Sequence, residues 1–229
     1  MPVPTAASEG EEVQRLIDSL NTQYQKIEDY QVRITVSIKL PGFRMPRKRM
    51  TLSFKQPDRT HLKSRGFAML PRRAILPSPD TLFSSLANLV IMPSAGGGRC
   101  HCVIVRGETV LDPGPALVTE VTIDTVRWVV LGISTSLEDA AVLDLQTEYL
   151  EVELGIFMPL KTSIKFELAE DFLTRGSRRR LRGVTAPAGE DLSAMNDGDP
   201  DKMPRSGEAV IEFSRYRVNR GLKDSLFEK

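Results

Sequence analysis

The chain has 229 residues, 41% of them hydrophobic and 27% charged, a balance that excludes disorder along its whole length and lets it bury a sizeable core. Its 31 Lys and Arg against 30 Asp and Glu leave a formal net charge of +1, which excludes a global field for nucleic acid or an anionic membrane, so any electrostatic partner must be met locally. No run reaches the roughly 20 apolar residues that span a bilayer, and Met1 to Gly10 carry neither the basic nor the apolar part of a secretory leader; a cleaved leader would leave a start of this kind.

Residues 1–10 are expected to form a flexible tail and residues 11–229 one domain. Val13, Leu16, Ile17, Leu20, Tyr24 and Ile27 recur at steps of three and four, which predicts a surface helix with one narrow apolar stripe. Ser8 is the expected N-cap, and Glu9, Glu11 and Glu12 suit the positive end of the helix dipole. At Asp29 the period changes to two. Tyr30, Val32, Ile34, Val36, Ile38 and Leu40 alternate with polar residues, Pro41-Gly42 supplies a turn, and Met50, Leu52 and Phe54 alternate until Pro57-Asp58. A third strand is expected over 59–65. Strands that follow one another with no helix between pair antiparallel, because a parallel neighbour needs a long crossover.

Pro77, Pro79 and Asp80 introduce Leu82, Phe83, Leu86 and Leu89, whose spacing predicts a short helix over 79–89, broken by Gly96 to Gly98. β-Branched enrichment or alternation predicts strands over 99–106, 117–134, 140–153, 157–168 and 207–218. Between about 170 and 206 the pattern fails and Arg, Gly, Pro, Asp and Ser dominate, basic at Arg178 to Arg182 and acidic from Glu190 to Asp201, as in a polar loop insertion. The only cysteines, Cys100 and Cys102, are two apart in an expected strand. Their α-carbons would then lie about 6.5 to 7 Å apart, past the reach of an unstrained disulfide, which predicts two free thiols.

Chemistry has few footholds. Two histidines, His61 and His101, and no Gly-x-Ser-x-Gly elbow leave a hydrolytic nucleophile without a base, and Asp124, Asp144 and Glu148 stand in no motif, so no catalytic residue is expected. Cys100-His101-Cys102 cannot present a four-ligand zinc set from one strand, and neither a metal nor another cofactor is expected. Gly96-Gly97-Gly98 lacks the Lys-Ser/Thr of a phosphate loop. Arg44 with Arg47 to Arg49, Arg72 with Arg73, and Arg178 to Arg182 sit in or beside turns without interleaved aromatic residues, which argues against nucleic acid. Phe43, Arg44 and Met45 at a hairpin tip have the composition of a membrane contact.

Ile27-Glu28-Asp29-Tyr30 leading into the first strand, Met50 to Phe54 running into Gln56-Pro57-Asp58-Arg59, then Ile123-Asp124-Thr125, Pro159-Leu160-Lys161, Tyr216-Arg217-Val218-Asn219 and Asp224-Ser225-Leu226-Phe227 occur in an order that resembles the periplasmic lipoprotein carrier and outer-membrane lipoprotein-sorting family (LolA/LolB-like). The resemblance is spread over most of the chain. It implies a mainly β fold, a curved antiparallel sheet forming an unclosed β-barrel, with the N-terminal amphipathic helix and a short lid helix on the concave side. It also implies an apolar space that receives acyl chains, with Leu16, Leu20, Ile34, Val36, Ile38, Leu52, Phe54, Leu82, Phe83, Leu86 and Trp128 as candidate lining. The family's carriers have an arginine before the proline that closes the second strand, where this chain has Gln56. The expected function is non-catalytic carriage of lipid or lipoprotein acyl chains by a monomer in the periplasm or cell envelope. The expected partners are a lipid or lipidated protein and a membrane surface or membrane-anchored protein. The alternative is a sensor or interaction module of the same fold.

Overall fold

The computed structural model describes residues 6–41, 43–44, 46–64, 78–92, 101–110, 116–137, 140–167 and 206–228. The expected loop insertion, the Gly96 to Gly98 break, Met45, Cys100, and the Arg72-Arg73 and Arg178 to Arg182 clusters lie outside these residues. Helix α1 (Ala6–Gln25) is followed by strands β1 (Asp29–Leu40), β2 (Phe43–Arg44), β3 (Lys48–Lys55) and β4 (Arg59–Ser64), then the short helix α2 (Pro79–Phe83). Strands β5 (Ala87–Met92), β6 (Cys102–Val110), β7 (Ala116–Asp124), β8 (Val129–Leu137), β9 (Ala140–Glu153), β10 (Ile156–Glu167) and β11 (Ser206–Val218) complete the order. The mainly β, antiparallel class with one long N-terminal helix and one short helix is thus the class expected from the sequence.

Two units divide the chain. Unit 1 holds residues 1–26 and 78–158; unit 2 holds 27–77 and 159–229, so that the boundary falls inside β10. In unit 1 the strand order is β5-β6-β7-β8-β9, and α1 packs on α2 and β5. The apolar stripe of α1 puts Val13, Ile17 and Leu20 in the core, where burial of each such side chain stabilises by about 1.5–3 kcal/mol. The last turn is tied down by Gln23, whose Nε2 donates to Gly155 O at 2.7 Å, and Lys26 Nζ donates in turn to Gln23 Oε1 at 2.7 Å.

In unit 2 the order is β4-β3-β1-β11-β10. Direct pairing of Tyr30 with Phe54 and of Ile34 with Met50 and Phe213 builds one apolar face, and Val32, Leu52, Val36 and Ile211 continue it. The Tyr30 and Phe54 rings stack with centroids 5.1 Å apart, and Tyr216, 6.4 Å from Tyr30, donates its hydroxyl to Pro159 O at 2.7 Å.

Four local expectations need correction. Helix α1 begins at Ala6, so Ser8 lies inside it and is not its cap. The helix expected over 79–89 ends at Phe83 with Ser84 as C-cap, and Ala87–Met92 is a strand. Its backbone groups are satisfied by β6 through Ala87 with Glu108 and Val90 with Arg106, and the Leu spacing mimicked a helix because a turn and a bulge intervene. The strand expected over 117–134 is two strands, since Asp124 Oδ1 accepts Val126 N at 2.9 Å and Arg127 N at 3.0 Å and reverses the chain. Cys102 is disulfide-bonded, against the expectation of free thiols. Among the described residues strand β6 starts at Cys102.

Candidate functional site

The face of the unit 1 sheet beneath α1 and α2 is built in rows. Ile91, Val105, Val121 and Ile133 are direct neighbours across β5 to β8, and Val105, Val121 and Ile123 are fully buried. One row along, Gly107 opposes Thr119 and Thr119 opposes Thr135, whose hydroxyls meet at 3.2 Å. Gly107 leaves the room that Leu86 and Leu89 use: a Cβ there would lie 2.9 Å from Leu86 Cβ and 2.8 Å from Leu89 Cδ2.

Helix α2 is placed by its cap and by α1. Ser78 Oγ accepts Thr81 N at 3.2 Å, Pro79 opens the first turn, and Asp80 Oδ1 accepts Asn21 Nδ2 of α1 at 2.6 Å. The turn after it is held to β6, where Thr109 Oγ1 donates to Ser85 O at 3.2 Å and Asn88 Nδ2 to Glu108 Oε2 at 3.2 Å. The result is a short helix fastened by a few polar contacts over an apolar floor.

Leu16, Leu20, Leu82, Phe83, Leu86 and Trp128 come together in this one cluster with Val13, Ile17, Val105, Val121 and Ile123. Leu20 and Phe83 are buried, whereas Leu16, Leu82, Leu86, Leu89, Ile91, Trp128 and Val130 keep part of their apolar surface in solvent. Tyr149 steadies the floor by donating its hydroxyl to Val130 O at 2.9 Å, and burial pushes its pKa up, so it remains a neutral donor. Sequence reasoning missed Val105, Val121, Ile123, Ile91 and Val130. The run Cys102-Val103-Ile104-Val105 is apolar at every position, so alternation could not say which side faces the helices.

The other candidates lie in unit 2. Ile34, Val36, Leu52 and Phe54 are buried on the apolar face of its sheet, and Ile38, at the far end of β1, is half-buried. Gln56, expected to stand where the carriers have an arginine, donates its backbone N to Glu28 O at 2.8 Å, while its side-chain Nε2 is buried with no hydrogen-bond partner among the described residues. Lys55 turns elsewhere, as strand alternation requires, to Asp224 Oδ1 at 2.7 Å and Leu222 O at 2.8 Å. Phe43 and Arg44 form β2, paired with Leu40 and Lys39. Among the described residues no three His, Cys, Asp or Glu side chains gather around a point where a metal ion could sit, and no helix is long and apolar enough to cross a membrane.

No protein-family model matches the sequence, and no curated protein sequence matches it. Solved structures match over almost the whole chain. A DUF1329 family protein from Desulfovibrio piger superposes with a TM-score of 0.55 at 12% identity, covering 94% of this chain and 97% of that one. A domain described as an outer membrane lipoprotein-sorting protein, from Vibrio parahaemolyticus, gives 0.53 at 8% identity, and a LolA superfamily protein from Nitrosomonas europaea gives 0.51 at 8%, each with the same coverage of 94% and 97%. At such identities the likeness is one of fold, and the fold that this chain shares with LolA-superfamily and DUF1329 proteins is the one its sequence resembled.

Proposed function

We propose that the protein is a non-catalytic extracytoplasmic carrier that takes an acyl chain of a lipid or lipoprotein between α1, α2 and the β5 to β7 face. The observation that supports this is the unevenness of the cluster: its floor at Val105, Val121 and Ile123 is sealed, while Leu16, Leu82, Leu86, Leu89 and Trp128 around the short helix are only partly covered. A five-residue helix held to α1 by the Asn21 to Asp80 contact is an inexpensive element to displace, and local opening of this kind draws on the low-stability end of a fold. Each methylene that then enters contributes about 0.8 kcal/mol, enough for a chain of ordinary length to offset the opening. The disulfide at Cys102 suits an oxidising compartment, and the shared fold includes a protein described as a lipoprotein-sorting domain.

Trp128 is the only tryptophan and lies in the cluster, so it reports on occupancy directly. Titration with a bromine-substituted fatty acid should quench its emission saturably, and Leu82→Asp with Leu86→Asp should abolish the quenching while leaving the circular dichroism spectrum intact. Emission that falls only linearly with added fatty acid, as for collisional quenching, would overturn the reading.

A further inference from the structure

Two hydroxyls lie in the middle of an otherwise apolar face of unit 1. Cross-strand register sets two adjacent rows over β6 to β9: Val105, Val121, Ile133 and Leu145 in one, and Gly107, Thr119, Thr135 and Leu143 in the next. Thr119 and Thr135 are buried, with 7% and 5% of their surface exposed, and neither row holds a charged side chain. Their hydroxyls lie 3.2 Å apart and make no other hydrogen bond among the described residues. Two hydroxyls carry two protons and their mutual contact uses one, so a donor is left over in surroundings where an unmade hydrogen bond costs about 1–3 kcal/mol.

The spare donor lies where the apolar face passes from covered to uncovered. On the β6 side Leu86 and Leu89 fill the space over Gly107, whereas on the β8 and β9 side Ile133, Leu143 and Leu145 keep part of their surface in solvent. An acyl chain that enters as the turn after α2 lifts meets apolar side chains on either side of the pair and one hydroxyl proton between them. An acceptor carried by the apolar chain itself satisfies that proton, and a carbonyl oxygen is such an acceptor. A carboxylate would accept it too, but no cation in either row offsets the charge, and burying an unpaired charge costs more than one hydrogen bond returns. Water would accept it without adding any apolar surface; a neutral acyl carbonyl does both.

We propose that Thr119 and Thr135 select the headgroup at the acyl-chain site, and that the ligand is a neutral fatty-acyl ester whose carbonyl oxygen accepts the spare hydroxyl proton. One threonine donates to the other, and the second donates to the ester, a short chain of hydrogen bonds in which each bond polarises the next. This inference rests on the carrier reading and adds to it the chemical class of the ligand.

Quenching of Trp128 in the full chain tests it with two brominated probes of equal chain length, a fatty acid methyl ester and an alkane, both delivered from cyclodextrin. The ratio of their dissociation constants is read in the parent and in Thr119→Val with Thr135→Val, which keeps the shape of both side chains, removes both hydroxyls and is close to neutral for stability. The valine pair is expected to lose about fivefold of the parent's preference for the ester, through weaker ester binding with alkane binding unchanged. Thr119→Ser with Thr135→Ser, which keeps both hydroxyls, should retain the parent's preference. An unchanged ratio in the valine pair, or the same loss in the serine pair, overturns this inference and leaves the carrier reading standing as long as either probe quenches saturably. Absence of saturable quenching by both probes in the parent overturns the two together.

Discussion

Asp29 and Asn219 clasp one another at the start of β1 and the end of β11: Asn219 N donates to Asp29 O at 2.8 Å, and Asn219 Oδ1 accepts Glu28 N at 2.8 Å. The Asp29 carboxylate, itself buried, accepts Arg220 N at 3.1 Å on one oxygen and Gly221 N at 2.8 Å and Leu222 N at 3.1 Å on the other. Gly221 takes a φ of 72°, which lets consecutive amides turn toward one carboxylate. Charge-assisted bonds of this kind are stronger than neutral ones, and losing the acceptor strands the donors. Asp29→Ala should destabilise by about 3 kcal/mol in urea unfolding, and Asp29→Asn, which keeps one acceptor oxygen, by less.

The chain that follows is fastened by charge. A hydrogen bond from Lys55, with the Arg59 and Lys55 charges beside it, holds the Asp224 carboxyl below its ordinary value against a smaller opposing effect of burial. A carboxylate whose folded pKa is depressed contributes stability that is complete above the ordinary carboxylate range and is lost as pH falls through the depressed value. Asp224→Asn should therefore lower the melting temperature at neutral pH, and the gap to the parent should close as the pH is taken below that range. A gap that persists in acid would show that packing, not charge, is at work.

Gln56 carries a cost that a substitution should relieve. A buried amide donor without a partner costs about 1–3 kcal/mol, and Nε2 of Gln56 has none among the described residues. Gln56→Met, of similar length and without a donor, should raise stability by about 1 kcal/mol in urea unfolding. A loss instead would reveal that the amide has a partner in solution.

Gly107 is needed for the way the α2 to β5 turn sits on β6. A Cβ there meets Leu86 Cβ at 2.9 Å and Ala87 O at 3.3 Å, atoms too close to the backbone to swing away. Gly107→Ala should cost about 2 kcal/mol and shift the Trp128 emission, because the turn must move off the cluster floor.

The elements with a clean period were legible. The step from three-and-four spacing to alternation near Asp29 located both α1 and β1, since a helix on a sheet and a half-buried strand each leave one face in water. Leu82, Phe83, Leu86 and Leu89 misled because helical spacing can arise from a short helix, a turn and a bulged strand in succession. The same four residues nevertheless pack in one apolar cluster.

By itself, the amino-acid sequence determined that the chain would be an antiparallel, mainly β protein with an amphipathic helix in front, because patterning obeys local geometry. The tertiary structure alone decided which strands seat that helix, where the apolar cluster stays partly uncovered, and that the hydroxyls of Thr119 and Thr135 meet on one face. Those are consequences of cross-strand register, which joins residues as distant as Lys39 and Glu208 and leaves no mark on local sequence.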